Sequence, residues 1–218
     1  MLRRTACSML LAFAATSQAQ IGRQRPQSSA DPGYWIGLSI GYLEGFTTTD
    51  EATDATWAFG YTSQIRATFE KTVSTGTAVG VVAGFSTAPL TYASGSSFNV
   101  ACPGACLAKA DISQYLAFIR GGTGANSGFS ATYNAEGGVT QFTNFREKTT
   151  GAKLSPTDGS YDLTFGFGAG FAYSMSRMAD LYLEQSYDFV FHKQSATVGT
   201  AQRAPRMLNI RGGLRFGF

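Results

Sequence analysis

Charge is scarce in this 218-residue chain. Lysine, arginine, aspartate and glutamate make up 14% of it, against about a quarter in an ordinary soluble domain. Long apolar runs are missing as well. A membrane-spanning helix needs about 20 consecutive apolar residues, and no stretch of the sequence supplies them, which excludes a helical membrane protein. Histidine occurs once and cysteine three times, too few for a metal centre or a disulfide framework. The formal net charge is +3. Arg3 and Arg4 supply two of those charges, which leaves about +1 beyond them (3 − 2 = 1) and no basis for binding nucleic acid, which needs a clustered basic face.

The chain does have 26 Gly, 17 Phe and 10 Tyr. Glycine and aromatics without charge or apolar runs suit transmembrane β-strands, whose signal is weak in any single segment. The N-terminus reads as an export signal over residues 1–19. Arg3-Arg4 form the charged region, Met9 to Ala15 the short apolar core, and Ser17-Gln18-Ala19 the small-residue site, predicting cleavage between Ala19 and Gln20. Residues 20–32 are polar and aperiodic, a flexible periplasmic lead-in, and 33–218 form one domain. Cys7 leaves with the signal. Cys102 and Cys106 remain, bracketing Pro103-Gly104, a turn that brings the sulfurs together. Export to an oxidising compartment makes a disulfide the favoured reading, and so short a loop would be stiffened locally rather than staple the fold.

From Gly33 onward the hydrophobicity alternates with period two, which places alternate side chains on opposite faces of a strand. Tyr34, Ile36, Leu38, Ile40 and Tyr42 share one face, with Gly37, Ser39 and Gly41 opposite. The pattern returns in seven further segments. The second aligns Trp57, Phe59, Tyr61, Ile65 and Phe69, and the sixth runs from Tyr161 to Met175 almost without fault. The fourth, around Tyr115 to Ile119, is apolar on both faces. The links after segments one, three, five and seven (45–55, 93–109, 143–159, 194–204) are long and polar, and the others are short. Alternating long and short links are the mark of an outer-membrane barrel with its termini on the periplasmic side. The expectation is an all-β, eight-stranded antiparallel up-and-down transmembrane β-barrel with a filled lumen.

A soluble ligand-binding barrel also has eight alternating strands, but its apolar face points inward. Eight strands enclose only enough room for side chains. The Phe and Tyr face therefore looks out at lipid, and the Gly, Ser and Thr face looks in. Tyr34 and Phe216 suit an interfacial girdle at one edge, and Tyr42, Trp57 and Tyr161 one at the other. Charges on the inward face then need partners. The candidates are Arg66, Arg211 and Arg215 with Glu70, Glu136, Asp162, Glu184 and Asp188. Segments seven and eight form a hairpin, which puts Glu184 within reach of Arg211 or Arg215. The network reads as a salt-bridged plug.

The last eleven residues, Leu208 to Phe218, alternate apolar positions Leu214 and Phe216 and finish on Phe218. This run resembles the C-terminal assembly signal of small outer-membrane barrels of the OmpA-like, OmpX-like and surface-antigen kinds. The resemblance covers about 33–218, and the peptidoglycan-binding domain of full-length OmpA-type proteins is not seen. It implies an outer-membrane location, contact with outer-membrane lipid and lipopolysaccharide, and delivery by periplasmic chaperones to the assembly machinery. The implied role is structural or surface-interacting, carried by external loops, with a narrow gated pore as the alternative. No cofactor is expected. Some barrels of this size modify lipids, which needs a nucleophile beside a base. The only candidate is His192 with Ser195 beyond it and Asp188 below. Its spacing departs from the His-x-Ser of the deacylase family and its parity is inward, so no enzyme is expected.

Overall fold

The computed structural model describes residues 32–95, 101–123, 128–193 and 206–218. The signal cleavage site, Ser195 and nearly all of the lead-in lie outside these residues. Among the described residues there are ten strands: β1 (Tyr34–Leu43), β2 (Thr47–Thr49), β3 (Thr56–Phe59), β4 (Thr62–Ser74), β5 (Gly76–Ala93), β6 (Ala105–Thr123), β7 (Gly128–Glu147), β8 (Ser160–Ser176), β9 (Ala179–Phe191) and β10 (Arg206–Gly217). All pairings are antiparallel between neighbours, and β1 pairs with β10 while β5 pairs with β6, so the sheet closes. Eight strands make the wall. The short β2 and β3 prolong β1 and β4 at the end carrying the long loops, with Trp57 of β3 opposite Tyr92 of β5. The eight-stranded closed barrel read from the sequence is the fold.

The barrel is turned inside out relative to a soluble one. Ile36, Leu38 and Ile40 are 49%, 61% and 64% exposed, whereas Gln64, Arg66 and Glu70 are at most 3% exposed. An apolar exterior of this extent is not a water-facing surface. Aromatic rings gather at both rims of the belt: Tyr34 stacks between Phe69 and Phe218 at the terminal end, and Tyr42 stacks on Tyr61 at the other.

Two breaks in the alternation depart from the sequence reading. Trp57 and Phe59 share parity with Tyr61, yet Trp57 is wholly buried and Tyr61 faces outward. Gly60 separates β3 from β4, and its amide bonds to Pro89 outside the ladder. The phase resets there, so Trp57 belongs to the interior and not to the lipid girdle. The second break is in β7. Asn144 has φ of 56°, and the β6–β7 register slips between Lys109 and Asp111. This bulge turns Phe145 inward and Arg146 outward, where unbroken alternation from Phe142 would do the reverse. The expected loops also shrink: 105–109 and 143–147 are strand, and β5, β6 and β7 rise beyond their neighbours.

Candidate functional site: a lumen closed in two layers

The lower layer is ionic. It rests on the register of the last two strands, where Arg211 sits opposite Glu184 and Arg215 opposite Asp180. Arg211 pairs with Glu184 and lies 3.7 Å from Glu136. Arg66, across the lumen, holds both Glu136 oxygens, at 2.8 and 3.3 Å. Arg215 reaches Asp180 at 2.6 Å and Glu70 at 3.3 Å. Arg120 completes the ring, pairing with Glu70 and standing 3.6 Å from Glu184. Every one of these side chains is at least nine-tenths buried. Buried charges persist only when paired and hydrogen-bonded, and here most carboxylates touch two guanidiniums. Phe118 and Tyr182 stack on Arg120, and Trp35 on Arg215.

Seven of the eight charges named from the sequence lie in this lower and middle lumen; Asp162 does not. It stands higher and hydrogen-bonds His192 Nδ1 at 2.8 Å. Asp188 is in the lumen but, among the described residues, faces no arginine within ion-pair range; Gln114 and Asn209 donate to it at 3.2 and 2.7 Å. Arg120 and Asp180 are members that the sequence reading left out. Asp180 was on the polar face of its segment, and counting two by two from Gln114 brings Arg120 to the inward face. The apolar run at Tyr115–Ile119 hid it. The inward members of that run, Leu116 and Phe118, pack on Val82.

The upper layer is apolar. Trp57, Phe59, Phe142, Phe145 and Phe46 interleave at the long-loop end, with ring centroids 4.6 Å apart for Trp57 and Phe145 and 4.8 Å for Phe46 and Phe59. Leu43, Leu90, Tyr92, Ile112, Val190 and Met207 fill the remaining space. Cys102 is packed into the same cluster, its sulfur at disulfide-bonding distance from that of Cys106, with Cα atoms 5.7 Å apart. The start of β6 and the residues just before it are thus joined to the cap.

Within the upper layer lies His192, one residue past β9. Its Nδ1 meets Asp162, its Nε2 stands 3.4 Å from Asp50 Oδ1, and its ring packs 4.9 Å from Trp57. Burial opposes the charged imidazolium, but the two carboxylates outweigh it and raise the pKa to about 9. His192 is therefore a cation tying the first loop to β8, and Asp188 belongs to a different group of side chains. A lumen cavity of about 10 Å³ beside Arg66, Arg120 and Arg211 has room for about one water.

A closed eight-stranded sheet, apolar outside and ionic inside, defines the fold of the small outer-membrane β-barrels. Neisserial surface protein A is similar over 87% of this chain and all of its own, at 9% identity and a TM-score of 0.53. OprG from Pseudomonas aeruginosa is similar over 86% of this chain and 97% of its own, at 15% identity and a TM-score of 0.53. No protein-family model and no curated protein sequence matches the chain. At these identities the likeness is one of fold.

Proposed function

We propose that the protein is an integral outer-membrane barrel that does not conduct solutes and that works through the loops at its capped end, in a structural or surface-interaction role. The closure of the lumen by two chemically different layers carries this reading. Solute passage would require opening both the arginine–carboxylate ring and the aromatic cap, and an eight-stranded wall leaves no path around them. The rims of aromatic side chains and the apolar belt support residence in a bilayer. The terminal run ending on Phe218 supports delivery by chaperones and assembly machinery, and the Arg3–Ala19 segment supports export through a cleaved signal. The enzymatic alternative has little support, since both ring nitrogens of the single histidine face carboxylates.

Planar-bilayer recording of the purified protein tests the reading, with an expected absence of stable conductance. A sustained, solute-sized open state would refute the sealed lumen. Trimming residues 149–153 or 94–104 and assaying cell adhesion tests the loop role, which unchanged adhesion would remove.

A further inference from the structure

Among the described residues, eight lysines and arginines lie outside the lumen, and four of them gather in one place. Lys109 on β6 is the direct neighbour of Arg146 on β7, and Arg146 is bridged in turn to Lys153 on the returning chain. Lys148 follows Arg146 on the same edge, its amide donating to Leu107. Neighbouring chains in a sheet are about 5 Å apart, so three cations stand in a row about 10 Å long. Like charges directly opposite one another destabilise a sheet. None of the four has a carboxylate within ion-pair distance among the described residues. Glu147, next to two of them in sequence, is taken up by Thr149 and Thr150. Asp111, below Lys109 on the same face, is bound to Thr87 and Asn144.

Arg146 is not a loose surface side chain. Its Nε donates to Asn144 Oδ1 at 2.6 Å and its Nη1 to the Gly151 carbonyl at 3.2 Å, which fixes the guanidinium plane and leaves Nη2 for an external acceptor. Asn144 is also the bulge residue that turns Arg146 outward. The same face continues downward through the Gln141–Tyr161 hydrogen bond, 2.7 Å, to exposed Tyr115, Val139 and Leu163. A cationic row above a polar rim above an apolar wall has the profile of a lipid with phosphate on its head group.

We propose that Lys109, Arg146, Lys148 and Lys153 form a binding site for the phosphates of an outer-leaflet lipid, whose chains lie against the wall below. Guanidinium and ammonium groups clustered at a membrane surface recognise phosphate in this way. This rests on the outer-membrane orientation proposed above.

The test uses the full chain in neutral detergent micelles, with diphosphoryl lipid A and its dephosphorylated form as probes, read by native mass spectrometry and by thermal shift. Diphosphoryl lipid is expected to bind at least tenfold more tightly than the dephosphorylated form. Lys109→Gln/Lys153→Gln, which leaves Arg146 and the bulge in place, is expected to lose that preference, while Lys71→Gln at the opposite rim keeps it. Equal binding of the two probes, or an undiminished preference in the double variant, overturns the site. Tighter binding of a sulfated oligosaccharide than of the diphosphoryl lipid also overturns it, in favour of a soluble polyanion. Labelling of Lys153→Cys on intact cells by an impermeant maleimide tests the orientation separately. Absent labelling beside intact binding in micelles would sink the orientation, and with it the outer leaflet as source, without touching the phosphate chemistry.

Discussion

Arg211 of β10 and Glu184 of β9 are register partners on adjacent strands, and their side chains are ion-paired inside the barrel. Each has a second partner, Glu136 for the arginine and Arg120 for the glutamate, so this pair links the two halves of the lumen ring. Removing one member leaves a buried charge without its counterpart, which costs about 3–5 kcal/mol. Arg211→Met and Glu184→Leu are each expected to lower stability by about that much. The double variant is expected to cost clearly less than the sum, because it strands no charge of this pair. Denaturant unfolding in micelles or vesicles measures the cycle, and strict additivity would show the pair to be uncoupled.

Trp57 occupies the centre of the cap, against Phe145, Phe59, Phe142 and His192. Trp57→Ala removes a fully buried side chain and should cost about 3–5 kcal/mol. The ionic layer beneath is untouched by this change. Conductance in planar bilayers should therefore stay at the wild-type level even as thermal stability falls. A variant that folds and conducts would show the cap to be the sole seal.

The His192 imidazolium gives the upper layer a pH dependence of definite sign. Its pKa in the folded protein, about 9, lies above the ordinary 6.5. The stabilisation is then complete below about pH 6.5 and is lost as pH rises through 9, a change on the order of 3 kcal/mol. Asp50, whose carboxyl burial would raise, is instead held below its usual range by His192 and Thr53, so its contribution fades only in acid. Unfolding measured from pH 6 to 10 should show the alkaline loss in the wild type and a flat profile in His192→Gln. Equal slopes in both would exclude His192 as the titrating group.

Asn144 adopts a left-handed backbone that a β-branched residue resists, at roughly 1–2 kcal/mol. Asn144→Val is expected to destabilise by at least that amount, with further loss from Asp111 and Arg146, both of which the amide binds. Asn144→Gly should keep the bulge and lose only those hydrogen bonds. Calorimetric midpoints falling in the order wild type, Gly, Val check the assignment, and a Val variant as stable as the Gly one would contradict it.

The period-two pattern carried most of the architecture. Once a strand's phase is set, every second side chain shares its surroundings, so Ile36 to Ile40 outward and Arg66 and Glu70 inward follow from sequence. The eight-strand count follows too, with the inside-out polarity, since so narrow a barrel has no room for the aromatic face. Parity carries only as far as the strand is unbroken. Gly60 and Asn144 each reset it, which moved Trp57 from the expected lipid rim to the middle of the cap and turned Phe145 inward beside it.

Pairing was the other matter beyond the sequence. Glu184 was legible as a partner for Arg211 or Arg215 because β9 and β10 form a hairpin, but only their register selected Arg211 and gave Arg215 to Asp180. Arg66 meeting Glu136, and His192 meeting both Asp50 and Asp162, join strands far apart along the chain. Those contacts depend on how the sheet closes on itself, a single global fit of strand stagger that no local pattern contains. The sequence by itself decided which side chains face the lumen, and the closed barrel decided which of them touch.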